Sequence, residues 1–165
     1  MRTWWLKLHR RWAVLRQMRR PAEWWLFLRV LCFAVAVPGL MRLRLRTLGR
    51  LLERRIAAAA RAEGQGEPGW VVIRAVESAL VVGPPLVRPR CLTRGLTLYY
   101  FLRRAGVDLT LCFGAGWREG QFSGHCWLVK DGTPYLEQGD PRRCFVSMYS
   151  LPETSPPSLR AAPGL

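Results

Sequence analysis

The sequence predicts an α+β fold, with helices over roughly the first two thirds and a small antiparallel sheet over the last third. Three observations predict it. Apolar residues recur at helical spacing up to Arg104, they alternate one by one after Gly106, and Asp131-Gly132 stands between two further runs as a hairpin signal. Half of the 165 residues are apolar, enough for one domain with a real core and at most an appendage.

Charge divides the chain unevenly. Residues 1–62 carry fifteen Lys or Arg against two acids, whereas residues 63–165 carry eleven against nine. The first part, 1–62, reads as a basic amphipathic helical region of three helices. Trp4, Trp5, Leu8, Trp12 and Leu15 share one side of the first. Pro21 suits the first position of the second and Glu23 its first turn, with Pro38 and Gly39 as its stop. Leu40 to about Arg61 makes the third, with Met41, Leu45, Leu48 and Leu52 on its apolar face.

The second helix invites a membrane reading, but Val30–Val37 falls short of the roughly twenty apolar residues a span needs, and Arg29 interrupts the longer run. Ala34-Val35-Ala36 resembles a signal cleavage site, yet the stretch before it is too long and too rich in tryptophan. Helices packed on the domain or on a partner are expected first, and peripheral membrane contact next. No nucleic-acid motif accompanies the arginines, so no nucleic-acid partner is expected.

EGQGEPG at 63–69 reads as a linker, and 70–150 as the unit that carries the chemistry. Trp70 to Val82 is helical by its Val72, Val76 and Leu80 spacing, although Val71–Ile73 also suits a strand. Gly83-Pro84-Pro85 ends it, and a proline-bearing loop runs to Arg90. A helix then opens at Cys91, after Pro89, with Leu92, Leu96 and Tyr99 on one face and Arg103, Arg104 and Gly106 at its end. Val107, Leu109, Leu111 and Phe113 alternate as a strand ending near Gly114, and Phe145–Tyr149 offers a last one. The tail, 151–165, has the composition of a disordered segment.

Cys91 at a helix start is where a thiolate is favoured, and His125 on a following strand is a candidate base. Whether an acid joins them turns on one residue of register. A three-residue loop at Lys130–Gly132 sets Trp127 opposite Tyr135 and His125 opposite Glu137 on one face, completing a Cys-His-acid set. A two-residue loop at Asp131-Gly132 pairs Cys126 with Glu137 and turns Glu137 away from His125. Asp140 and Asp131 are alternative acids. Arg90 and Arg94 flank the cysteine and suit lowering its pKa, meeting an acidic peptide, or plain solvation, and Trp127 is expected to pack against Tyr135 first and to contact substrate second. The five cysteines, 32, 91, 112, 126 and 144, make an odd set without a C-x-x-C pair, which argues for reduced thiols in a cytoplasm. Neither a metal site nor a cofactor is expected.

RCLTRGLTLYYFLRRAG, the strand toward Gly114, FSGHCWL and an acid twelve residues after the histidine together resemble the transglutaminase-like cysteine-protease domain of lasso-peptide biosynthesis B proteins, in their stand-alone form. The resemblance implies a papain-like or transglutaminase-like core in which Cys91 is the nucleophile, His125 the base and Glu137 the acid. This chain has HCW and glutamate where that family commonly has HAW and aspartate. The implied activity is removal of the leader from a ribosomally made precursor, with a separate leader-recognition protein and an ATP-dependent lasso cyclase as partners. An acyltransferase of the same superfamily, or a non-catalytic basic adaptor docking a membrane or an assembly, is the rival expectation. The expected location is cytoplasmic, with membrane association through the N-terminal helices left open.

Overall fold

The computed structural model describes residues 20–63, 67–84, 87, 91–118 and 120–153. The expected first helix around Trp4–Leu15, Arg90 and the tail beyond Glu153 lie outside the described residues. The elements are helices α1 (Pro21–Leu40), α2 (Leu45–Glu63), α3 (Gly69–Val82) and α4 (Cys91–Arg104), then strands β1 (Thr110–Arg118), β2 (Gln121–Lys130), β3 (Thr133–Tyr135) and β4 (Phe145–Leu151). A short 3-10 turn, Pro141–Arg143, precedes β4.

Pro21 begins α1 after an extended Arg20, and Glu23 lies in the first turn, where the helix dipole favours a carboxylate. The helix passes the expected stop by two residues. Pro38 cannot donate to the turn before it, but the Met41 N–H reaches Val37 O at 2.9 Å and closes the last turn. Leu26, Val30, Ala34 and Val37 form one buried stripe against α3 and α4. By length and composition alone α1 could cross a bilayer, against the expectation that its apolar run is too short. Only 28% of that stretch is buried inside the protein, and a single such helix near the N-terminus is weak evidence for a span.

On α2, Leu48, Leu52 and Ile56 are buried at i, i+4 and i+8. They join α1, α3, α4 and the sheet residues Leu111, Cys126, Leu128 and Leu151 in one continuous core. The helices that charge sets apart at residue 62 thus share a core with the residues beyond 70. The valine-rich start of 70–82, open to either reading, is helical, with Val72, Val76 and Ala79 buried.

All strand pairs are antiparallel, in the order β3-β2-β1-β4. One face of the sheet lies on the helices. The other carries a small cluster of Cys112, Trp127 and Phe145. The first strand starts later than alternation predicts and runs further. Gly106 takes φ +83°, and the N–H of Val107 bonds to Leu102 O at 3.0 Å, so the chain there is still closing the helix end. Beyond Gly114, glycines let β4 approach: a Cβ on Gly116 would lie 1.9 Å from the Cys144 carbonyl oxygen.

The hairpin takes the two-residue form. Lys130 pairs with Thr133, Val129 with Pro134 and Leu128 with Tyr135 around Asp131 (φ +50°) and Gly132 (φ +76°). Both turn residues are left-handed, as a type I′ turn requires, and that turn matches the twist of the strands. Pro134 falls at the non-hydrogen-bonded pair, where no N–H is needed. The three-residue loop and the Trp127–Tyr135 pair are therefore not formed. Lys130 Nζ instead lies 5.8 Å from the Tyr135 ring centre.

Candidate active site

Cys91 is the first residue of α4 and is exposed. Gly95 follows one turn later on the same helical face, and a Cβ there would sit 3.1 Å from Cys126 Sγ and 3.2 Å from Leu111 Cδ1. The missing side chain lets the start of α4 settle directly on β2. Sulfur at the helix tip thereby reaches both His125 and Cys126.

β3 ends at Tyr135, so opposite residues 121–127 the outer edge of β2 carries no partner strand among the described residues. Had β3 continued in register, Glu137 would have paired with Cys126 and taken its N–H. Leu136 instead adopts φ +59°, a conformation unusual for a branched side chain, and the strand stops. That N–H is left for the sulfur of Cys91. The thiol is pulled down from 9.0 to about 5, first by the hydrogen bond from the Cys126 thiol, then by the hydrogen bond with His125 and the Cys126 N–H, against the opposing effect of burial.

The same kink returns Glu137 to His125. Glu137 Oε2 lies 3.5 Å from His125 Nε2, with both side chains largely shielded from solvent. With Nε2 facing the carboxylate, Nδ1 is the nitrogen available to exchange a proton with sulfur. The ring is wedged between aromatic neighbours, stacked on Trp127 at 6.2 Å between centres and tilted against Phe145 at 5.1 Å. Trp127 itself is 1% exposed and lies over Gly114, where a Cβ would come within 2.8 Å of the indole. Trp127 thus supports the histidine, and its indole N–H is buried without a partner among the described residues.

Arg94 holds the corner in place. Its Nε–H donates to Glu77 Oε1 at 2.9 Å and its Nη2 to the Leu136 carbonyl at 3.2 Å, while Nη1 lies 3.6 Å from Glu137 Oε1. One guanidinium therefore ties α3, the left-handed residue and the carboxylate to α4. Of the alternative acids, Asp131 occupies the hairpin turn. Asp140 caps the 3-10 turn and is gripped by Arg142 at 2.9 Å, which holds its carboxyl below the usual range. A cleft of about 760 Å³, within the range of about 300–1,000 Å³ usual for ligand sites, opens beside His125 and Glu137. Arg118, Gln138, Arg143 and Phe145 line it.

A family model described as Transglutaminase-like superfamily matches residues 27–150. The chain belongs to the transglutaminase-like superfamily. The match takes in most of α1, in keeping with that helix's place in the common core. No curated protein and no solved structure matches the chain significantly. Members of this superfamily are typically enzymes of the cysteine protease or transferase type. A helix-tip cysteine against a strand histidine on a small antiparallel sheet is consistent with a transglutaminase-like core.

The sequence reached Glu137 as the partner of Cys91 and His125 through a three-residue hairpin register. That register does not form, yet the fold brings the three side chains together by the kink at Leu136. Arg94 turns inward to the acid, Trp127 is buried beneath the base, and Arg90 lies outside the described residues. Leu136, Glu77 and Gly95 carried no signal in the sequence. Cys126 carried one: as the neighbour of a strand histidine it must face the opposite side, toward the helix that bears Cys91.

Proposed function

We propose that this protein is a cysteine peptidase that removes the leader from a ribosomally made precursor during lasso-peptide maturation. The observation that carries the reading is the contact of Cys91 with His125 while Glu137 lies 3.5 Å from the ring's other side. The thiolate adds to the scissile carbonyl, with the Cys91 N–H at the helix start as one donor to the oxyanion. His125 protonates the departing amine as the thioester forms. Water, deprotonated by the same imidazole, then releases the acid. Glu137 keeps Nδ1 directed at sulfur and stabilises the imidazolium present before the amine departs and again after water is deprotonated. Arg94 acts through Glu137 and does not touch substrate.

The partners of this reading are the precursor, a separate leader-recognition protein and an ATP-dependent cyclase. The resemblance of the ordered motifs, not the site geometry, supports that choice of substrate. The test mixes purified protein with precursor and leader-recognition protein and follows leader release by mass. Wild type should cleave, and Cys91→Ala should bind precursor nearly as well without cleaving. Equal cleavage by both proteins overturns the proposal. A supplied primary amine that replaces water in the product would assign acyl transfer instead.

A further inference from the structure

We propose that Cys91 and Cys126 form a reversible disulfide when the protein meets a hydroperoxide, closing the nucleophile off from substrate and from further oxidation. In peptide hydrolysis Cys126 serves only as a hydrogen-bond donor to the Cys91 sulfur, yet it is also the thiol set against Cys91. Its neighbour His125 faces one side of the sheet, so Cys126 faces the other, toward α4. The face of α4 above it is built from Cys91 and Gly95, one turn apart, and the Cβ position of Gly95 is only 3.1 Å from Cys126 Sγ. The two sulfurs are hydrogen-bonded to one another.

Their environments also decide which of the two sulfurs meets peroxide first. Cys91 is exposed and ionised, whereas Cys126 is 3% exposed and its thiol is held neutral by its contact with Cys91 and by burial. Cys112 lies on the far face of the sheet with Trp127 and Phe145, and Cys32 belongs to α1. The thiolate of Cys91 attacks one peroxide oxygen, the O–O bond breaks, and the departing alkoxide takes a proton from solvent to leave as alcohol. Cys91 is then a sulfenic acid. The sulfur of Cys126 attacks that of Cys91, the S–O bond breaks, and the hydroxide combines with the Cys126 proton as water. The dithiol has lost two electrons and the peroxide has gained them. A small dithiol reverses the step by exchange.

The inference rests on Cys91 as the reactive thiol, as the proposed function does, but it needs no peptide substrate. Its test therefore fails or succeeds independently of leader cleavage. Reduced full-length protein is treated with a slight excess of hydrogen peroxide, then digested without reduction and mapped by mass. The expected product is a single cross-link between the Cys91 and Cys126 peptides, lighter by two hydrogens, with loss of iodoacetamide labelling at Cys91 that dithiothreitol restores. Cys126→Ser should instead accumulate added oxygen at Cys91 that dithiothreitol does not fully remove. Oxygen added to wild-type Cys91 without the cross-link overturns the proposal, and so does a cross-link from Cys91 to another cysteine. The wild-type map decides the matter even if Cys126→Ser folds poorly.

Discussion

The depressed thiol at Cys91 makes a prediction about the shape of a pH profile. At pH 7 a thiol of pKa 9.0 is about 1% ionised, and one of about 5 is about 99% ionised, a gain of roughly 100-fold in thiolate. Thiolate nucleophilicity falls with pKa, however, and over four units a Brønsted slope of 0.4–0.5 costs about 40- to 100-fold. The two effects nearly cancel at neutrality. Cys91 should therefore alkylate at pH 7 no more than a few times faster than a free small-molecule thiol of pKa about 9, and a single-pH comparison decides little.

Acid pH separates them. Between about pH 8 and pH 6 an ordinary thiol slows about 10-fold per unit, while Cys91 stays nearly constant until the pH approaches about 5. The assay is the iodoacetamide rate at each cysteine, read by peptide mapping across this range. At pH 6 Cys91 should lead by about 10-fold or more. The sign follows from the thiolate being the favoured form: stripping away a donor raises the midpoint. Cys126→Ala and His125→Ala should both move it upward, since each removes a hydrogen bond to sulfur. A Cys91 rate that falls about 10-fold per unit between about pH 8 and pH 6 would refute the reasoning from these hydrogen bonds to a thiolate.

The remaining predictions concern the acid, its anchor and the core. Glu137→Gln should lower kcat for leader release by about 100-fold or more with KM little changed; wild-type turnover would remove Glu137 from the mechanism. Arg94→Lys, unable to hold Glu77, Leu136 and Glu137 together, should lower kcat by about 10- to 100-fold through misplacement of the acid. A rise in KM alone would make Arg94 a substrate contact instead. Gly114→Ala should lower the urea midpoint by the equivalent of about 1–3 kcal/mol, because its Cβ meets the Val146 carbonyl at 2.5 Å and the Trp127 ring at 2.8 Å. Leu48→Ala should cost about 2–5 kcal/mol in the same single transition. A separate early transition in that variant would mean that α2 folds apart from the rest.

Much of the fold was legible because it is local. Proline 21, the Arg103-Arg104-Gly106 ending and the Asp131-Gly132 turn each act through their own few residues, so the elements they bound stand close to where spacing puts them. Less legible was where β1 begins. Val107 has strand-like alternation, but its N–H is claimed by the end of α4, a competition that apolar pattern does not record. The hairpin shows a sharper version. The two-residue turn is the register that by regular alternation would turn Glu137 away from His125, yet their side chains lie 3.5 Å apart.

Sequence by itself determined that a cysteine stands at a helix tip, that a histidine and a cysteine take opposite sides of one strand, and which carboxylates are near enough to compete for the ring. These follow from fixed periods of the backbone. Only the tertiary structure shows which of these carboxylates lies against the ring, Glu137 at 3.5 Å. A left-handed Leu136 ends β3, frees the Cys126 N–H for sulfur and swings Glu137 round, and Arg94 reaches from α4 to hold that corner. No local preference of leucine predicts φ +59°, because its cost is met by contacts with residues far away in the chain.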